Sequence, residues 1–269
     1  MAMLFAVLVL GALGSKIPTD ADIAARIEDA LRTQLHPEFV RVVVKRPSAL
    51  STTFEQVEIT ISGFNASQLP LDALPAAPPA GMPGRPGRQI RIVNARLTCE
   101  HFIVNGLPVR TLAWEGKDLY LPFQAVRAGV FQVSAARAVT GYMVVNEDDL
   151  TTFLRTLTLP ITQPELSITP AECRVDGVTR MTVKLPISLS GRLTARHGAV
   201  LYLDQPHLRV SVVPIPRFVS NRVLKDLNPL ADLNAAMKLP APLEITRTTQ
   251  QHGALRIEGA LLFPKPPEK

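Results

Sequence analysis

Alternation constrains this chain more than any other feature. Residues 243–263 hold two runs in which aliphatic and polar side chains exchange at nearly every step, hinged at His252-Gly253. A period of two sends alternate side chains to opposite faces of a strand, so such runs require a sheet with one buried face. The pattern recurs, wholly or in part, at 39–45, 57–63, 89–104, 109–114, 119–123, 132–145, 165–168, 172–175, 179–189, 199–203 and 208–213. Turn residues separate the runs: Pro47-Ser48, Asn105-Gly106, Glu115-Gly116-Lys117-Asp118 and His197-Gly198. Gly141 interrupts one run and reads as a bulge.

Three stretches have helical spacing instead. Thr19 is placed as an N-cap with Asp22 as its capping-box partner, and Ile23, Ile27, Leu31 and Leu35 form a stripe that His36-Pro37 ends. Asn146 caps a second helix, with Asp149 at the capping-box position and Leu150, Phe153, Leu154 and Leu157 on its apolar side. A third is expected over 217–227, burying Phe218, Val219, Val223, Leu224 and Leu227. The order is helix, strands, helix, strands, helix, strand pair. Few helices among many antiparallel strands predict an α+β fold, with long curved sheets wrapping amphipathic helices around an apolar groove.

Composition excludes more than it selects. Apolar residues make up 46% and aromatics only 5%, and mean hydropathy is +0.16. Such an aliphatic interior suits a sheet core or a cavity for acyl chains. A net charge of +6, without basic residues interleaved with aromatics, does not fit a nucleic-acid binder. Cys99 and Cys173 belong to no CxxC pair, and each reads as a buried thiol or as half of a disulfide. No GxSxG elbow, HExxH pair or glycine-rich phosphate loop is present. The five histidines are scattered, and Glu147-Asp148-Asp149 sits where carboxylates complement a helix N-terminus. No enzyme activity, metal site or cofactor is expected.

Two segments fall outside the alternation. The apolar run at 3–13 is too short to span a bilayer as a helix. With Ala12-Leu13-Gly14 as a small-x-small site, it reads as an export signal within residues 1–15, although no Lys or Arg precedes it. An N-terminal anchor or a buried strand are the alternatives. Residues 70–88, rich in proline and glycine, read as a surface loop within a single domain spanning 16–264, with a tail at 265–269. Arg85, Arg88 and Arg91 cluster at the loop's exit as candidate contacts to lipid head groups or an anionic membrane surface.

The stretch GYMVVNEDDLTTFL and the region 208–263, with its closing strand, helix, Asn228-Pro229 element and Gly253-centred hairpin, resemble the LmeA-like phospholipid-binding family. The likeness is best over 139–263 and looser back to Thr19. It implies a tubular lipid-binding (TULIP-like) fold and a non-enzymatic role in binding phospholipid in the bacterial cell envelope, exported or periplasmic. It implies no catalytic residue. Candidate groove positions are Ile23, Ile27 and Leu31 on the first helix and Leu150, Phe153 and Leu154 on the second. Phe218 and Leu224 on the third helix are further candidates, with Met237 and Leu239 beyond it. The partner is phospholipid, and protein partners are not specified. The competing reading is a structural or interaction module of the envelope whose sheets leave no cavity.

Overall fold

A computed structural model describes residues 19–66, 89–104, 106–123, 133–156, 161–179, 184, 186–196, 198–210, 231–232 and 241–266. The leader, the proline-rich stretch at 70–88 and the expected third helix lie outside the described residues. Within them are two helices and twelve strands. A seven-stranded sheet has the order β1 (Phe39–Lys45), β2 (Thr53–Asn65), β3 (Gln89–Val104), β4 (Leu107–Pro122), β5 (Ala135–Asn146), β12 (Ala254–Leu261), β11 (Leu243–Gln251). A five-stranded sheet has the order β10 (Ala231–Asp232), β9 (Val200–Val210), β8 (Pro186–Arg196), β7 (Cys173–Thr179), β6 (Ile161–Ile168). All pairs are antiparallel except β2 with β3. The α+β expectation holds, with curved sheets that do not close.

Helix α1 (Asp20–Leu35) starts where its capping box places it. The Thr19 N–H donates to Asp22 Oδ2 at 2.8 Å, and the Asp22 N–H donates to Thr19 Oγ1 at 3.2 Å. The bond from the Thr19 backbone, then that from its hydroxyl, holds the Asp22 carboxyl below its ordinary range. His36 ends the helix in a left-handed conformation (φ 48°), its N–H returning to Arg32 C=O. Ile23, Ile27, Leu31 and Leu35 are all buried. Helix α2 (Glu147–Thr156) follows β5 directly, with Asn146 Nδ2 donating to Asp149 at 3.1 Å.

Two expected breaks are absent. Residues 115–118 do not turn: β4 runs through them, because Glu115 pairs with Arg96 on one side and Thr140 on the other. Asp118 keeps its left-handed geometry (φ 49°) inside the strand, at a position that the ladders to β3 and β5 both skip. The runs at 199–203 and 208–213 are likewise joined as far as Val210 in β9. There Gln205 (φ 48°) and Pro206 together oppose Gly191, a bulge that removes the need for proline to donate to the ladder. The same device occurs in β6, where Gln163 (φ 50°) and Pro164 oppose Gly177. A Cβ on Gly191 would lie 2.8 Å from Asp204 C=O, and one on Gly177 would lie 3.1 Å from Thr162 C=O. The run 179–189 is divided instead, between β7, which ends at Thr179, and β8, which begins at Pro186.

Gly141 is not a bulge either. It stays in register between Trp114 and Gly259, and a Cβ there would strike Ala113 C=O and come within 2.8 Å of the Trp114 indole. Its bare backbone makes room for the buried ring.

Helix side chains close two of the sheet edges. β1 is an edge strand, and α1 supplies acceptors to it. Glu28 takes the Val42 N–H at 2.8 Å; Asp20 takes the Arg46 N–H at 3.0 Å and its Nε at 2.6 Å. Asp20 and Glu28 are eight helical residues apart, about 12 Å, and their targets are four strand residues apart, about 13 Å. β6 is the edge of the other sheet, and α2 treats it alike. Glu147 accepts from Ile168 N–H, Thr151 Oγ1 from Leu166 N–H at 3.2 Å, and Arg155 Nε donates to Pro164 C=O at 3.3 Å.

β11, the far edge of the large sheet, forms the seam with the small one. Gln250 Oε1 accepts from Leu193 N–H at 3.2 Å, and Thr248 Oγ1 donates to Leu193 C=O at 3.0 Å. Leu193 lies two residues past the last β8 position that pairs with β7. The Ile245 N–H donates to Gly198 C=O at 2.7 Å. At the hairpin tip, Gly253 (φ 68°) donates to Ile168 C=O and accepts from Glu147 N–H.

Gly141→Ala should lower the unfolding free energy by about 2 kcal/mol or more, because backbone must move to admit the methyl. Thr151→Val should cost about 1 kcal/mol through the unpaired Leu166 N–H. Urea denaturation monitored by circular dichroism checks both, with slopes unchanged.

Candidate functional site

The candidate site is the face of α2 at the junction of the two sheets. The chain leaves β5 of the large sheet, passes through α2 and enters β6 of the small one, and α2 packs against β4, β5 and β6. Glu147, Thr151 and Arg155 recur every four residues and are used on the β6 edge. The neighbouring stripe carries Leu150, Phe153 and Leu154. Leu150 and Phe153 touch the hydrophobic core, yet no residue of α2 is fully buried. Among the described residues, the apolar stripe of this amphipathic helix is only partly buried.

The expected site residues separate into three groups. Ile23, Ile27 and Leu31 are packed under α1, with Ile27 fully inaccessible, and present no free surface. Leu150, Phe153 and Leu154 are the partly buried group. Phe218, Leu224, Met237, Leu239, Arg85 and Arg88 lie outside the described residues. Arg91 is described, and its guanidinium is engaged. Nε and Nη2 reach Asp118 Oδ1 at 3.0 and 2.5 Å, and the group lies 6.0 Å from the Tyr120 ring. The Asp118 hydrogen bond raises the Arg91 pKa further. Sequence reasoning assigned Ile257 to an apolar strand face but missed the residues that stand beside it there. Leu112, Met143 and Ile257 stand side by side across β4, β5 and β12, each at most 5% exposed. Pairing register, which a single strand does not reveal, brings them together.

Among the described residues, no group of three or more His, Cys, Asp or Glu side chains is placed to hold a metal ion. No described helix is long and apolar enough to cross a membrane. Cys99 in β3 and Cys173 in β7 are free and buried. Burial pushes both thiols from 9.0 up to about 12, with Glu147 and then Glu172 adding to the effect at Cys173.

The LmeA-like phospholipid-binding family model matches residues 91–260, more than half of the chain. The protein belongs to this family. No curated protein and no solved structure matches the chain. The family match takes in α2 and both sheets from β3 onward, including the hairpin that joins them. It begins after α1 and the β1–β2 hairpin.

The two thiols set an alkaline limit. Above pH 9 the unfolded chain releases thiol protons that the folded chain retains up to about 12, so ionisation favours unfolding. Stability should fall by about 1.4 kcal/mol per pH unit for each thiol across that window and be independent of both below it. Denaturation between pH 7 and 11 should show this slope, and the Cys99→Ala, Cys173→Ala double variant should lose that component.

Proposed function

We propose that the protein binds phospholipid without catalysis, holding acyl chains in an apolar groove between its helices and curved sheets. The observation that carries this reading is the partly buried apolar stripe Leu150, Phe153 and Leu154 at the junction of two curved sheets, in a member of a phospholipid-binding family. Each acyl methylene moved from water onto such a surface contributes about 0.8 kcal/mol. An aliphatic groove can therefore retain a lipid without a dense set of polar contacts.

The tubular lipid-binding architecture extends this proposal. A single domain over 16–264 accords with a terminal hairpin that pairs with β5 and bonds to the small sheet. The apolar run at 3–13 supports export to the cell envelope, where an anionic membrane surface is the natural source of lipid for a chain of net charge +6.

Organic extraction of the purified protein followed by mass spectrometry should recover phospholipid in near-stoichiometric amount. Leu150→Asp and Phe153→Asp should each lower the recovered lipid at least fivefold while leaving the far-ultraviolet spectrum unchanged. Protein that carries no lipid as isolated and, once delipidated, does not rebind any from vesicles would end the proposal.

A further inference from the structure

The outer face of the large sheet carries a second feature, remote in character from the apolar groove. A crevice of about 310 Å³ is lined by Gln56 and Glu58 of β2, Asn94, Ala95 and Arg96 of β3, and Glu115, Gly116 and Lys117 of β4. That volume is at the lower end of small-molecule sites. Strand register arranges its polar side chains in two rows. Gln56, Asn94 and Lys117 are direct neighbours across the three strands, and so are Glu58, Arg96 and Glu115. The rows are two residues apart along each strand, roughly 6.6 Å. The inward-facing pair Ala95 and Gly116 lies between them and forms the floor.

The rows differ in charge. One ends in a lysine and contains two amides. Lys117 is exposed and makes no ion pair among the described residues. Asn94 Nδ2 gives one hydrogen bond to Glu55 C=O at 3.3 Å and has a second N–H to give. The other row holds two carboxylates on either side of one guanidinium. Arg96 lies 2.7 Å from Glu115 Oε1 and 3.8 Å from Glu58 Oε1. One cation therefore serves two carboxylates, and Glu115 has its second oxygen to offer a further donor. A bare anion would face Glu58 and Glu115, and a bare cation would face Lys117. A molecule with both charges avoids each conflict.

We propose that this crevice binds a small zwitterion whose anionic group and ammonium are separated by about one row spacing. The anionic group takes Lys117 and the amide N–H groups of Gln56 and Asn94. The ammonium takes Glu115 and Glu58 and restores the charge balance that Arg96 alone leaves incomplete. The aminoalkyl phosphates have this chemistry, either free in solution or as the head group of a lipid. The site stands on the outer face and does not depend on the groove.

Phosphoethanolamine titrated into the full-length protein at low ionic strength, where exposed charges are least screened, tests the proposal by calorimetry or amide chemical shifts. Saturable binding is expected, with inorganic phosphate and ethanolamine each at least tenfold weaker. Lys117→Met and Glu115→Gln, both at exposed positions, should each weaken binding at least tenfold with unchanged Tm. Flotation with phosphatidylethanolamine vesicles then separates the sources. Capture that these same variants abolish identifies a lipid head group, and soluble binding without capture identifies a free zwitterion. Absence of saturable binding in both formats, or binding that both variants leave intact, overturns the proposal.

Discussion

An unpaired backbone group at the edge of a sheet is the constraint around which this structure is arranged. Two open sheets expose four edges, and bare edges invite pairing with other chains. Here helix side chains occupy two of them. The match is possible because four residues of helix rise about as far as two residues of strand, so a helix beside an edge presents one side chain to each outward-facing position. Asp20 and Glu28 use that match on β1, and Glu147, Thr151 and Arg155 use it on β6. At the seam the direction is reversed: Thr248 and Gln250, on the edge strand β11, bond the backbone of Leu193 in β8 beyond its pairing with β7.

This arrangement explains how each helix divides its surface. A helix fixed by its polar side chains need not bury all its apolar ones to stay in place. α1 buries its stripe completely, and α2 does not. Three side-chain bonds to β6 and the Gly253 contact at its start anchor α2 independently of Leu150, Phe153 and Leu154. The two helices are positioned alike, yet one buries its apolar stripe completely and the other, among the described residues, only in part.

Much of this was legible in the sequence, for identifiable reasons. α1 was fixed to the residue by local signals: a capping box at one end, His36-Pro37 at the other, and apolar residues four apart. β1, β3 and the closing hairpin followed from alternation bounded by turn residues. The errors came where tertiary pairing overrides local chemistry. Glu115-Gly116-Lys117-Asp118 has turn composition, but ladders on both sides hold it extended. Gln205-Pro206 looks like a break, and a glycine on the neighbouring strand absorbs it. Gly141 looked like a bulge because its function is steric and belongs to Trp114, a residue of another strand. At the candidate site, the α2 stripe was readable from spacing. The incomplete burial of that stripe was not, since it depends on what three other strands place opposite.

The parallel pairing of β2 with β3 carries a consequence of its own. Thr53 pairs with Arg91 and Asn65 with Ile103, so both strands run the same way. After Asn65 the chain must return to the opposite end of β2 before β3 can begin at Gln89. β2 has 13 residues, and at about 3.3 Å each the return is roughly 40 Å. A fully extended chain needs about a dozen residues to cover it. The connection between Asn65 and Gln89 therefore has a minimum length. A shortening below that limit would act at a distance: it would pull β3 out of register with β2 and shift the polar rows on the sheet's outer face along with it.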